Sequence, residues 1–125
     1  MIDHVSVAVT DLTASAEFYE EVLAPLGLKR MVDRPATVGF GKRYPEFWLN
    51  SRPDMLPVTD ETGHHVCLRA PDRDAVTAFY ERAIDHGGRG DGAPGERQAA
   101  VTTYFGAFIR DPDGNKIEAV TFPRG

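Results

Sequence analysis

The chain has 125 residues, 42% of them apolar and 26% charged, which is enough for one domain with a core and too few for two independent ones. Its net charge of -5 offers no basic face for nucleic acid, and no apolar run approaches the roughly 20 residues of a membrane helix. Cys67 is the only cysteine, so no intrachain disulfide forms. The opening Met1–His4 lacks the charge and apolar core of a signal peptide, and a cytoplasmic location is expected.

Taken in order, Ile2 to Val9 alternates as a strand, with Val5, Val7 and Val9 on one face and His4, Ser6 and Ala8 on the other. Asp11 can cap a helix whose apolar stripe is Leu12, Ala16, Tyr19, Leu23 and Leu26, closed by Pro25 and Gly27. Short strands are expected at Met31–Val32, Thr37–Gly41 and Phe47–Asn50. Ser51 to Gly63 is polar and contains proline, and reads as a linker. His65 to Ala70 is a second alternating strand, with His65, Cys67 and Arg69 opposite Val66, Leu68 and Ala70. Asp72 caps a second helix carrying Val76, Phe79, Tyr80 and Ala83, ended by Gly87–Gly88. The five glycines between Gly87 and Gln98 suggest a mobile loop, a lid or a dimer edge, without regular structure. Val101–Thr103 and Tyr104–Arg110 are further strands. The turn Asp111-Pro112-Asp113-Gly114-Asn115 leads into a last strand, Lys116 to Phe122.

The two halves match each other at a constant offset of 61 residues. His4 falls on His65, Asp11 on Asp72, Phe18-Tyr19-Glu20 on Phe79-Tyr80-Glu81, and Gly27 on Gly88. A self-match of this length implies a duplicated unit. The expected architecture is α+β: two βαβββ units, 1–60 and 61–125, forming a curved, cup-like mixed sheet with helices outside, in a single domain.

Each unit opens on a histidine that faces away from the apolar side of its strand. Glu118 sits between Ile117 and Ala119, and a carboxylate there needs a cation, a donor or water. His4, His65 and Glu118 together supply three ligands for one divalent ion, with positions left open for substrate. That set suits zinc, nickel, manganese or Fe(II). His64 falls on the opposite strand face from His65 and is left out of the set.

These units, His4-Val5 with Asp11-Leu12 and Phe18-Tyr19, His65-Val66, and the closing Asp111-to-Glu118 segment resemble the vicinal oxygen chelate superfamily. That group contains glyoxalase I, extradiol dioxygenases, fosfomycin-resistance transferases, methylmalonyl-CoA epimerase and bleomycin-resistance proteins. The resemblance covers essentially the whole chain, and its metal ligands map onto His4, His65 and Glu118. It departs in the fourth strand. There glyoxalase I enzymes carry a further acidic or amide ligand, whereas aligning Ile117-Glu118-Ala119 with Phe47-Trp48-Leu49 puts Trp48 at that place. Glu46 lies one step earlier on the same face and is a candidate ligand or base.

Arg69 is a candidate anchor for an anionic substrate, with Trp48, Tyr104 and Phe108 as apolar lining. Lys116 is expected in solvent, and Cys67 to serve packing. The resemblance implies a metal-dependent lyase, isomerase, transferase or dioxygenase acting on a small oxygen-chelating molecule. The alternative is a metal-free sequestering protein of the bleomycin-resistance type. It also implies a homodimer, with His4 drawn from one subunit and His65 and Glu118 from the other.

Overall fold

The computed structural model describes residues 1–123. Its elements are β1 (Val5–Val9), α1 (Leu12–Leu23), a 3-10 turn at Ala24–Leu26, β2 (Lys29–Asp33), β3 (Thr37–Gly41) and β4 (Pro45–Ser51), then β5 (Val66–Arg69), α2 (Arg73–Asp85), β6 (Arg89–Gly90), β7 (Gly95–Gln98), β8 (Thr103–Arg110) and β9 (Lys116–Thr121). Each helix begins where an aspartate in extended conformation accepts a backbone N–H: Asp11 from Ala14 at 3.1 Å, Asp72 from Ala75 at 2.8 Å. Gly27, at φ +86°, stops the 3-10 turn by donating its N–H to Ala24 O. A left-handed residue of this kind favours glycine.

The α+β architecture of two similar units is present, and the strands form two sheets. The first has the order β1-β4-β3-β2, with β1 parallel to β4; the second has β5-β9-β8-β6, with β5 parallel to β9 and β7 also on β8. β1 and β5 are therefore both edge strands, and they do not pair with each other. Alternation turns one parity of each sheet inward. Val9, Phe47 and Leu49 from the first sheet and Ile109, Ile117 and Ala119 from the second join Phe18, Tyr19, Leu23, Phe79 and Ala83 of the helices in one core cluster. His65, Cys67 and Glu118 take the opposite parity, as do Ser6 and Trp48.

The segment from Gly87 to Gln98 corrects the expectation of a loop without elements. It supplies β6 and β7, both antiparallel to β8. Apolar periodicity is not what organises it. The backbone pairs with β8, and the Arg97 guanidinium donates to the carbonyls of Ala93, Gly95 and Gly106. Gly90 leaves room for the Tyr80 ring and hydroxyl, which an added Cβ would displace. Of the expected Val101–Thr103 strand, only Thr103 belongs to one; Ala99 N bonds Thr102 O at 2.8 Å and closes the β7–β8 hairpin.

The turn between β8 and β9 fastens the second unit to the first. Asp111 is buried, and its carboxylate accepts from Tyr19 OH at 2.6 Å, Asn115 Nδ2 at 2.9 Å, and the backbone N–H groups of Asp113 and Asn115. Asn115 Nδ2 also donates to Ala8 O, and the Thr10 hydroxyl donates to Asp113. Burial holds the Asp111 carboxyl above its ordinary range despite these donors. Burial first, and then the charge of Asp111, push the Tyr19 phenol well up. The linker is held down as well: Val58 N bonds Asp113 O, and Asp60 pairs with Arg89.

Candidate functional site

On the outward face of the second sheet, β9 places Glu118 beside His65, the residue that leads into β5. His65 Nε2 lies 3.0 Å from Glu118 Oε1. The Glu118 side chain is only 7% exposed, while His65 keeps 37% of its surface open. The carboxylate is thus buried, with the partly open imidazole beside it. A buried carboxylate beside an imidazole is a donor pair suited to a cation.

Strand register supplies the surroundings of Glu118. Cys67 lies opposite it on β5 and Phe108 opposite it on β8. The Phe108 ring stands edge-on to the His65 imidazole, with centroids 5.4 Å apart. Burial pushes the Cys67 thiol up to about 12, with the Glu118 charge adding to the effect and Arg69 opposing it. The thiol is therefore protonated at neutral pH and is no ready nucleophile. Tyr104 is raised in the same sense, by burial first and Glu118 second. Three neighbours thus stand around one carboxylate.

Cations border the same face. Lys116 Nζ lies 4.6 Å from the Phe108 centroid and pairs with Asp91 at 3.3 Å, so it is half-buried, in contrast to the solvent position expected for it. The Arg97 guanidinium lies 5.5 Å from the same ring. Arg97 was missed by sequence reasoning because its strand was read as a loop, and the uniformly polar run Glu96-Arg97-Gln98 carries no alternation to mark it. Arg69 rests over Phe122 at 4.9 Å, and Phe122 packs on Tyr104 at 5.8 Å.

His4 stands apart. Its side chain is 54% exposed, ahead of β1, and Nδ1 bonds Asp3 Oδ1 at 2.7 Å. Among the described residues no three of His, Cys, Asp and Glu gather closely enough to hold a metal ion within this chain. The fold brings together His65 and Glu118, and leaves His4 and Glu46 outside that pair. Trp48 does occupy the position in the first sheet that Glu118 holds in the second: Ser6 pairs Trp48 as Cys67 pairs Glu118, and Gly39 pairs Trp48 as Phe108 pairs Glu118. Its indole covers Gly39, where a Cβ would come within 3.0 Å of the ring. Glu46 lines a cleft with Cys67 and Arg69.

The chain belongs to the Glyoxalase/Bleomycin resistance protein/Dioxygenase superfamily, whose family model matches residues 1–119. It is 31% identical to a probable lactoylglutathione lyase of Synechocystis sp., over 94% of this chain and 92% of that protein. It is 30% identical to a catechol-2,3-dioxygenase of Bacillus subtilis, covering 94% of this chain but 40% of that longer protein. A crystal structure of a glyoxalase/bleomycin resistance protein from Albidiferax ferrireducens T118 superposes with a TM-score of 0.84 at 32% identity, over 94% of this chain and 96% of that one. Another, from Burkholderia phytofirmans PsJN, superposes at 0.73 with 18% identity, over 98% of both chains, and speaks for the fold alone.

Proposed function

We propose that this chain is a cytoplasmic, divalent-metal-dependent enzyme acting on a small oxygen-chelating substrate, of lyase, isomerase, transferase or dioxygenase type. It would work as one domain built from the units 1–60 and 61–125. The observation that carries the reading is the buried Glu118 carboxylate with His65 Nε2 at 3.0 Å on a face turned from the core. Imidazole and carboxylate are donors that suit zinc, nickel, manganese or Fe(II).

One chain supplies two such donors side by side and needs a third. His4 is exposed just ahead of the edge strand β1, and β5, which follows His65, is also an edge strand. The reading is therefore a homodimer with two-fold symmetry, in which His65 and Glu118 are joined by His4 of the partner subunit, twice per dimer. When bound, the ion supplies Lewis-acid polarisation of two adjacent substrate oxygens. Glu118 would hold the ion with His65, and Glu46, which lies outside that pair, is the candidate ligand or base. Arg69 anchors an anionic group, and Trp48, Tyr104 and Phe108 line the apolar part of the site.

A second reading, a metal-free sequestering protein, is favoured by Trp48, which fills with indole the place where the first unit would offer an acid. One experiment separates the two. Purified protein should carry about one divalent ion per chain and lose thermal stability on chelation. His4→Ala, His65→Ala and Glu118→Gln should each lose the ion. Mixing His4→Ala with Glu118→Gln chains should restore one site per heterodimer. Full ion retention by all three variants sinks the metal reading; proven subunit exchange without a recovered site sinks the shared one.

A further inference from the structure

Two clefts adjoin the end of β5, with volumes of about 270 and 400 Å³, and Lys42 and Arg69 line both. Lys42 comes from the β3–β4 turn of the first unit and Arg69 from the end of β5 in the second. The site therefore exists only because the units are packed together. Among the described residues, neither cation forms an ion pair. Other described cations are also without an ion pair, among them Lys29, Arg34 and Arg52, and what sets Lys42 and Arg69 apart is that they border the same space. Glu46 is the acid on this wall, so the lining carries one net positive charge (Lys42 and Arg69 against Glu46).

The two cations are set differently: Arg69 rests on an aromatic ring, and Lys42 is exposed on its turn. The Arg69 guanidinium lies over the Phe122 ring, 4.9 Å from its centroid. Such a contact steadies the group while leaving N–H donors free for a bidentate grip on an oxyanion. The Lys42 stem runs past Gly27, where an added Cβ would come within 3.3 Å of Lys42 Cε. The floor of the smaller cleft is apolar, formed by Leu28, Phe47 and Leu68. Cations beside an apolar lining recognise a molecule with a charged head and an apolar body.

We propose that this double cleft binds a small organic anion, with its carboxylate or phosphate oxygens between Lys42 and Arg69 and its apolar part over Leu28, Phe47 and Leu68. Arg69 lies four residue steps along the chain from His65, on the same strand face, a span of about 13 Å. The inference deepens the reading of Arg69 given above and rests on it only for the link to substrate. If the anion is the substrate, it is an elongated acid whose charged end lies far from the oxygens that reach His65 and Glu118. The anion site itself requires no metal.

The test is calorimetric titration of the full chain at low ionic strength with 4-phenylbutyrate, phenethyl phosphate and the neutral 4-phenylbutanamide. At least one anion should bind about tenfold or more tightly than the amide, and Lys42→Gln and Arg69→Gln should each weaken it by about tenfold or more. Arg69→Lys, which keeps the charge and loses the fork, should fall between the parent and Arg69→Gln. The better of the two anions identifies the head group. Both residues are exposed, and unchanged melting temperatures would confirm folded variants. Metal content should be the same in all of them, so failure of the ion reading and failure of this one give different results. No saturable binding by either anion, amide binding as tight as the anions, or anion binding unaffected in both glutamine variants would overturn the proposal.

Discussion

Trp48 in the first sheet and Glu118 in the second hold equivalent register positions, yet one is an indole and the other a buried carboxylate. Around them the units have diverged in step. Opposite Trp48 stands Gly39, whose missing side chain makes room for the indole; opposite Glu118 stands Phe108, whose ring packs against His65. On the inward faces the units remain alike: Phe47 and Leu49 answer Ile117 and Ala119, all buried in one core. Duplication thus preserved the side of each sheet that folding requires and released the other. The inner face must bury apolar area to offset chain entropy, whereas the outer face is free to specialise.

The largest expected effect tests this divergence directly. Glu118→Ala should bring ion content from about one per chain to near zero, while Trp48→Ala should leave it close to one. Metal analysis of both purified variants decides the matter. Equal loss in the two would mean that the positions still act as a symmetric pair.

Next comes the asymmetry of the closing turns, since the second unit's turn is bolted to Tyr19 and the first unit's is not. Asp111→Asn keeps the size of the side chain but provides one acceptor oxygen for four donors. It should cost about 2–4 kcal/mol in denaturant unfolding. The pH dependence has a definite sign. Asp111 is held above the ordinary carboxylate range by burial, so the folded state binds its proton more tightly than the unfolded state. That contribution is fully present below the unfolded value of about 4 and fades as pH rises through the raised folded value. The deficit of the asparagine variant should therefore be larger near pH 4 than near pH 8, and a deficit that grows with pH would count against this account.

The smallest effect probes what the units share. Asp11→Ala and Asp72→Ala each remove one capping acceptor, and each should cost about 1 kcal/mol. Thermal or chemical melts that differ by much more than this between the two variants would show that the helices no longer play equivalent parts.

Much of this was legible in the residues themselves. The 61-residue self-match, the two aspartate caps and the alternation in both leading strands depend on local periodicity, and each reappears in the structure. The segment after α2 was not legible, because β6 and β7 are held by backbone pairing to β8 and by Arg97, neither of which leaves an apolar pattern. Arg97 itself was missed for that reason. Phe122 looked like the end of the last strand, and its place beneath Arg69 depends on how β9 meets β5.

The sequence by itself determined that two similar strand-helix-strand units exist and which face of their leading strands is buried, because those properties repeat along the chain at short range. Only the tertiary structure decided that Glu118 meets His65 while His4 stands apart in the same chain. It also decided that β1 and β5 remain separate edges, and that Lys42 and Arg69 border one cleft. These are relations between residues distant in sequence, and they follow from packing both sheets and both helices into one core, which no local pattern encodes.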